Sequence, residues 1–497
     1  MVADVTYDVV VLGAGGAGLA AAVSAAEDGA RVLLLESEGE IGGSMLQSAG
    51  MFTAAGTSVQ AAMGVEDSVD RFFQHYMDLN QWRLQPGLIR RFCTQAAPAL
   101  EWLLGLGLDV PAERSGSAHH PGLCRSGVED VWRGHVPRDQ GQGVVHVLER
   151  ARRRHDVDLV LHTRVHDLLV ADGRVRGVVA DGVEVRAGAV VIATGGLAQA
   201  PELVARWFPP ALAAGDDLFV TAGTGSRGDH LALGEQAGAD LAGIGWGLLV
   251  VTAYFQTRHH WDAGFPPLSR VYVDRSGLRF MDEDASYAVA AGILDDHGGQ
   301  AWAIFDEAAR LALPPGYADW TPDRVLAEVA GGRTAQAEDL AALAGRIGVP
   351  AAALEATLAR WNVTLPLGQD PAFARSESLR AKGVTEPPAP IARPPFYAVR
   401  MLPAQLVVTH TGLRIDEDAR VLDRTGATVP GLSAAGEAGG GVLGPRYVGG
   451  GNAVANALTM GRIAGRTAAA DARAGGPALS APDDAAAGAP RTADAAR

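Results

Sequence analysis

The stretch Asp8–Ser44, DVVVLGAGGAGLAAAVSAAEDGARVLLLESEGEIGGS, decides how the rest of the chain is read. Its apolar run Val9–Leu12 suits a strand buried on both faces. Gly13, Gly15 and Gly18 follow in G-x-G-x-x-G spacing, with Gly16 and Ala17 between them, at the turn into an alanine-rich helix. Gly13 permits a tight turn, Gly15 lets a pyrophosphate approach the backbone, and Gly18 lets helix and strand pack closely. The free N–H groups and positive dipole end of that helix face the phosphates. A second apolar strand, Val32–Leu35, ends at Glu36, next to Ser37. A carboxylate at that offset accepts hydrogen bonds from an adenosine ribose and favours a free 2′-hydroxyl over a 2′-phosphate. The glycine spacing alone is weak. With both strands, the helix and the acid it predicts a bound ADP-containing dinucleotide.

Composition sets the outer bounds. A chain of 497 residues holds two or three domains' worth of sequence, and 63 glycines with 48% hydrophobic residues suit a large α/β protein. The net charge of −15, from 42 basic and 57 acidic residues, is interrupted by no basic stripe, which argues against nucleic acid or an anionic membrane as partner. The one basic cluster, Arg152–Arg154, closes the helical pattern VVHVLERARRR, where cations complement the dipole of a solvated helix end. Cys93 and Cys124 stand far apart and in no metal spacing, so a reducing, cytoplasmic setting is expected, with a single disulfide left open. His119, His120 and His135 have no partner at ligand spacing, so no metal is expected and each reads as a surface-loop or near-ligand residue. Trp132 suits either a ligand's ring edge or core packing. No basic leader and no run of about 18 apolar residues occurs, so neither a signal peptide nor a membrane span is expected.

Gly42, Gly43 and Ser44 open a small-residue loop, and residues 57–113 carry helical patterns. From Leu159 to Thr194 the pattern alternates through Val165, with Asp172–Gly173 and Asp181–Gly182 as hairpin turn signals. The last of these strands, Ala189–Ile192, runs into Ala193, Thr194 and Gly195. That V-I-A-T-G-G string is similar to the strand that disulfide-reductase-type FAD enzymes place beside the first fingerprint, which favours FAD over NAD. The pattern changes over 242–395, where Trp246, Trp261, Trp302, Trp320 and Trp361 mix with prolines and short elements. We read 1–241 and 396–472 as one domain, 242–395 as an inserted capping or substrate domain, and the Ala/Gly/Pro/Asp-rich 473–497 as a disordered tail.

Four separated motifs agree: Gly13–Gly18 with Glu36, Gly42–Ser44, TGLRIDEDARVLD with AAGE, and GGGNAVANALTMGRIAG. Together they resemble the FAD-containing flavoprotein family of fumarate reductase, succinate dehydrogenase and 3-ketosteroid dehydrogenase. The resemblance implies an α/β fold: a Rossmann-like FAD-binding domain of glutathione-reductase type, interrupted by an α+β capping domain, with substrate between cap and isoalloxazine. It implies that Glu437, after Gly436, contacts the FAD ribitol. Gly449–Gly451 (with Gly450) and Asn452, Ala453 and Val454 would start the C-terminal helix, whose N-terminal end stabilises negative charge on reduced flavin. No histidine lies in Gly42–Phe52 to attach flavin covalently, so non-covalent FAD is expected.

The substrate side separates the branches of that family. Dicarboxylate reductases carry a carboxylate-clamping arginine ten residues after the AAGE glutamate; here that place is Tyr447, with Arg446 one short. Their acid-catalyst arginine follows G-x-R-F-x-N-E; here Gly277–Glu283 is followed by Ser286–Tyr287. Their His-His-Thr-Met-Gly-Gly is Val407–Gly412, with His410 in the methionine place. The 3-ketosteroid Δ1-dehydrogenases place tyrosines at the first two positions and a glycine four after the second, matched by Tyr287, Tyr447 and Gly451. The Tyr447 O–H and Gly451 N–H would form a two-donor hole for a ketone oxygen. Tyr287, its pKa lowered, would take the α proton while hydride leaves the adjacent carbon. The tyrosine that assists the base in those enzymes has no counterpart in 114–140. Arg279 and Glu283 are expected to tie cap to FAD domain, and His230 to cap a helix.

The expected activity is α,β-dehydrogenation of a cyclic ketone. The alternative is a fumarate-reductase-like ene-reductase acting on an enone or unsaturated acid, with Arg446 or His410 as anchor; an idle FAD-binding protein is a third reading. With one dinucleotide unit and no iron–sulfur cysteine set, electrons must pass to or from an external carrier.

Overall fold

The computed structural model describes residues 5–115, 120–125, 131–256, 267–313, 319–381, 384 and 386–474. Val5–Leu12 lies in the middle of a largely parallel sheet. Val32–Leu35 pairs on one side with Val9 opposite Val32, and Val183–Ile192 on the other with Val11 opposite Val191. Asp158–Val160 extends one side; Thr428–Ala434 and then Arg420–Leu422 extend the other. Val9, Val10 and Val11 are completely buried, as the unbroken apolar run requires. Helices Gly16–Glu27 and Asn452–Ala474 cover the sheet and pack on each other through small residues. A Cβ at Gly461 would lie 2.4 Å from the Ala17 carbonyl oxygen, and one at Gly465 2.1 Å from that of Ala21. Only glycine lets the two backbones come this close.

The two Asp-Gly turns join the strands Val165–Ala171, Arg174–Ala180 and Val183–Ile192. Both turn residues have positive φ (52° and 70° at Asp172–Gly173, 49° and 78° at Asp181–Gly182), the conformation that two-residue hairpins favour. The expected helical stretch forms Ser58–Ala62, Val69–Leu79 and Pro86–Gly105. Its buried Tyr76 donates to the Val442 carbonyl at 2.8 Å and accepts from the Asn452 amide at 3.0 Å, which anchors the start of the C-terminal helix.

A second sheet is built on one strand, Phe396–Thr409. Gly247–Ala253, Ala301–Asp306 and Ala335–Ala337 pair with it antiparallel, Phe219–Val220 parallel, and Val271–Val273 lies outside Ala301–Asp306. The ladder slips at Pro403: Thr252 faces Leu402, but Val250 faces Gln405. Proline has no N–H to give, so its place in a long strand is a bulge. Arg279 grips Glu283 at 2.8 Å and Asp370 at 2.8 Å, and the fully buried Arg375 holds Asp284 at 2.7 Å. All these residues lie within 242–395, so the network ties that segment to itself, not to the FAD-binding part.

Other expectations are settled locally. Cys93 and Cys124 are both buried free thiols, which closes the disulfide option. Arg152–Arg154 do end the helix Gln140–Arg154, two of them paired with Glu149. His120 is exposed and His119 lies outside the described residues. His135 is no surface-loop residue. It is completely buried, with Nε2 at 2.8 Å from Thr57 Oγ1 and Nδ1 at 3.0 Å from the Phe52 carbonyl. Of the stretch 473–497 the first two residues end the C-terminal helix and the rest lie outside the described residues. Among the described residues no helix is long and apolar enough to cross a membrane, and no group of three or more His, Cys, Asp or Glu could hold a metal.

Candidate active site

A cavity of about 2050 Å³ opens at the carboxyl ends of the parallel strands and runs under the second sheet. Leu12, Leu35, Ala193 and Ala435 mark those strand ends in its wall, the place where open α/β sheets bind ligands. At one end the buried Glu36 carboxylate accepts the Ala14 N–H at 2.6 Å and the Glu38 N–H at 2.9 Å, with Ser37 Oγ at 3.2 Å. Gly13 has φ of 94°, and a Cβ there would meet the Ala193 carbonyl oxygen at 2.5 Å. Gly15, Gly16, Ala17, Gly43 and Ser44 follow in the wall, with the Gly223 N–H on Ser44 Oγ at 2.8 Å. Val165, Thr194 and Gly195 also line the cavity.

Three of the expected FAD-binding residues do not reach the wall. Gly18 lies beneath the turn, where a Cβ would fall 1.7 Å from the Gly13 carbonyl oxygen. Gly42 bridges Gly15 and donates its N–H to Ala14 at 2.8 Å. Asn452 is completely buried on Tyr76. All three shape the cavity from behind.

Further along, Gly436 and Glu437 join the wall. The Glu437 carboxylate accepts the Thr409 N–H at 2.9 Å, and burial pushes its pKa up to about 7 against the hydrogen bonds that hold it down. The Thr194 hydroxyl is buried without a hydrogen-bond partner. A glycine turn that brings backbone to the cavity surface, an orphaned hydroxyl and two acceptor carboxylates fit a ligand that carries phosphates and a polyol. They fit FAD.

The far wall brings the two tyrosines together. Tyr287 begins the helix Tyr287–Asp296, capped by Ser286, and Tyr447 sits in the loop before the C-terminal helix; their ring centres are 6.1 Å apart. Tyr447 Oη accepts the Ala453 N–H at 2.8 Å, so its own proton is left to donate. Gly450, Gly451, Ala453 and Val454 line the same region. Gly451 has φ of 86°, a Cβ there would lie 2.6 Å from the Met51 carbonyl oxygen, and Thr53 Oγ1 donates to the Gly450 carbonyl at 2.5 Å. Burial, then the neighbouring Tyr447 and Cys124, push the Tyr287 phenol well above its ordinary value. The lowered pKa that a resting base would need is therefore not found, because among the described residues no cation offsets its burial. Burial raises Tyr447 likewise.

Arg446 and His410 are not in the cavity wall. Arg446 is exposed, with its guanidinium beside Gly292. His410 is buried behind Tyr447, rings 6.4 Å apart, with Nδ1 donating to the Gly444 carbonyl at 2.9 Å. Burial lowers its pKa to about 4, so it is neutral. His230 does not cap its helix; buried, it reaches the Thr411 carbonyl at 3.1 Å. Trp132 lines the cavity. The reading by sequence missed Thr409, which holds Glu437 and whose signal was its place beside His410. It also missed Thr53 and Tyr76, for which no local signal exists.

A family model described as "FAD binding domain" matches residues 8–454. The chain belongs to this family. It is an FAD-dependent oxidoreductase acting on CH–CH groups. The chain is 32% identical over 476 residues to a fumarate reductase (cytochrome) of Shewanella frigidimarina, covering 93% of this chain and 77% of that one. It is 31% identical over 479 residues to an NADH:fumarate oxidoreductase of Klebsiella pneumoniae, covering 94% of this chain but only 48% of that relative, about half its length. Among solved structures, the 3-ketosteroid-Δ4-(5α)-dehydrogenase of Rhodococcus jostii RHA1 with bound 4-androstene-3,17-dione superposes with a TM-score of 0.75 at 27% identity, over 94% of this chain and 97% of that one.

Proposed function

We propose that this FAD enzyme exchanges hydrogen across the α,β carbon–carbon bond of a cyclic ketone. The observation that carries it is the pair Tyr287–Tyr447 in the cavity wall, with Arg446 and His410 outside it. Two neutral phenols suit a carbonyl; they do not neutralise a carboxylate. Gly13–Gly18, Glu36, Ser44, Thr194 and Glu437 would hold FAD without a covalent bond. Bound FAD supplies the hydride acceptor or donor for the substrate β carbon. Tyr447 donates its O–H to the carbonyl oxygen, aided by the Gly451 N–H, and makes the α C–H more acidic. Tyr287 exchanges the proton at the α carbon. Val250, Val407 and Val408 keep that exchange away from water.

Dehydrogenation of the saturated ketone, as in 3-ketosteroid dehydrogenases, is the first direction. The second is reduction of the enone, and the raised pKa of Tyr287 favours it, because a protonated phenol is ready to give a proton. Electrons pass to or from a carrier outside this cavity. A reducing, cytoplasmic setting suits the two free thiols.

Anaerobic flavin absorbance tests the reading. A saturated cyclic ketone should bleach the oxidised enzyme, or the matching enone should reoxidise the chemically reduced enzyme; the faster of the two gives the direction. Fumarate-like acids should do neither. Reoxidation by the acids and not by the enone would overturn the proposal.

A further inference from the structure

Outside the active-site cavity, helices Pro86–Gly105 and Asn452–Ala474 enclose a small cleft of about 80 Å³. Arg91, Gln95, Thr459, Arg462, Arg466 and Thr467 line it. A single water fits in about 10–15 Å³ of such space, so the cleft takes a group of a few heavy atoms. Three guanidiniums around one cleft are unexpected in a chain of net charge −15. Arg462 and Arg466 stand four residues apart on one helix, a spacing at which like charges destabilise it. Among the described residues neither has a carboxylate within ion-pair distance. Arg91 touches Asp418 at 3.2 Å, but Arg420 shares that carboxylate at 3.1 Å.

The polar atoms of the cleft point the same way. Arg91 Nε, Arg462 Nε and the hydroxyl of the buried Thr459 are all inaccessible to solvent and have no hydrogen-bond partner. Buried donors are rarely left so. Burial and then the Arg466 charge also work against the cationic form of Arg462, with Glu27 and Asp28 opposing them. A compact anion with several acceptor oxygens answers each of these features: it neutralises the paired cations and receives the two Nε–H donors and the hydroxyl.

We propose that this cleft binds a phosphate group, as inorganic phosphate or on a small phosphomonoester, between Arg91, Arg462 and Arg466. The site is separate from the FAD phosphates, so the test uses FAD-loaded protein. Calorimetric titration with inorganic phosphate, and separately with glycerol phosphate, at constant ionic strength in chloride should show saturable binding at one site per chain. Binding of phosphate alone identifies the free ion; binding of both identifies a phosphorylated small molecule. Arg462→Gln and Arg466→Gln should each weaken binding at least about tenfold, the effect of losing one charge-assisted contact. Flavin absorbance should stay unchanged, which separates site loss from misfolding. Thr459→Val, nearly the same size, should weaken binding if an arginine variant fails to fold. Absence of saturable binding, unchanged affinity in the variants, or equal displacement by chloride would each overturn the proposal.

Discussion

At the scale of single residues, Tyr447 shows how a backbone sets up a side chain. Its oxygen is occupied as acceptor by the Ala453 N–H at 2.8 Å, so the only direction left for its proton is outward. Tyr447→Phe removes that donor and leaves the ring that His410 packs against. We expect turnover of the ketone or enone to fall roughly a hundred- to a thousand-fold, the usual cost of one donor at a developing oxyanion. Rapid-mixing measurement of flavin absorbance, with the flavin content of the variant as control, checks it. A fall below tenfold would mean that the carbonyl lies elsewhere. Residue types at spaced positions were legible here without coordinates: Tyr287, Tyr447 and Gly451 do share one wall. Their protonation was not legible, because it depends on burial by segments far apart in the chain.

At the scale of elements, the first strand, turn and helix follow from local chemistry alone. Gly18 is the strictest point, because the atom that its Cβ would strike, 1.7 Å away, is the Gly13 carbonyl oxygen. Backbone cannot swing aside as a flexible side chain can. Gly18→Ala should therefore force the helix off the turn, costing about 1–3 kcal/mol as overpacking does, and release flavin. The ratio of absorbance at the flavin band to that at the protein band, measured on the purified variant, reads this directly. Full flavin occupancy would show that the turn tolerates the shift. The Asp-Gly hairpins were equally legible, since both residues must take positive φ. Phe396–Thr409 was not, because Pro403 interrupts it and proline argues against a long strand. A bulge there and pairing with the sequence-distant strand Gly247–Ala253 overrule the local preference.

At the scale of the molecule, burial sets the response to acid. His75, His135, His230 and His410 are each lowered to about 4 by burial, against an ordinary value of 6.5. The unfolded chain takes up these protons below 6.5 while the fold resists until about 4, so stability present above 6.5 is lost as pH falls between those values. Glu437 acts oppositely: raised to about 7 from 4.5, it disfavours the fold above that window and ceases to do so on acidification. Four histidines outweigh one carboxyl. The melting temperature, followed by flavin fluorescence, should be level near neutrality and drop steadily below pH 6.5. A level curve down to pH 4 would mean that these imidazoles are solvated.

The sequence by itself determined the dinucleotide turn, the acid after the second strand, the hairpins, and the absence of arginine where a dicarboxylate would be clamped. Each of these rests on spacing within a few residues, or on a residue type that backbone geometry or charge demands. The tertiary structure alone decided that Glu437 leans on Thr409, that Asn452 is seated by Tyr76, and that the phenols stay protonated. It alone placed three arginines from two helices around one cleft. Those outcomes depend on which distant surfaces exclude water from a given atom, and periodicity along a chain carries no record of that.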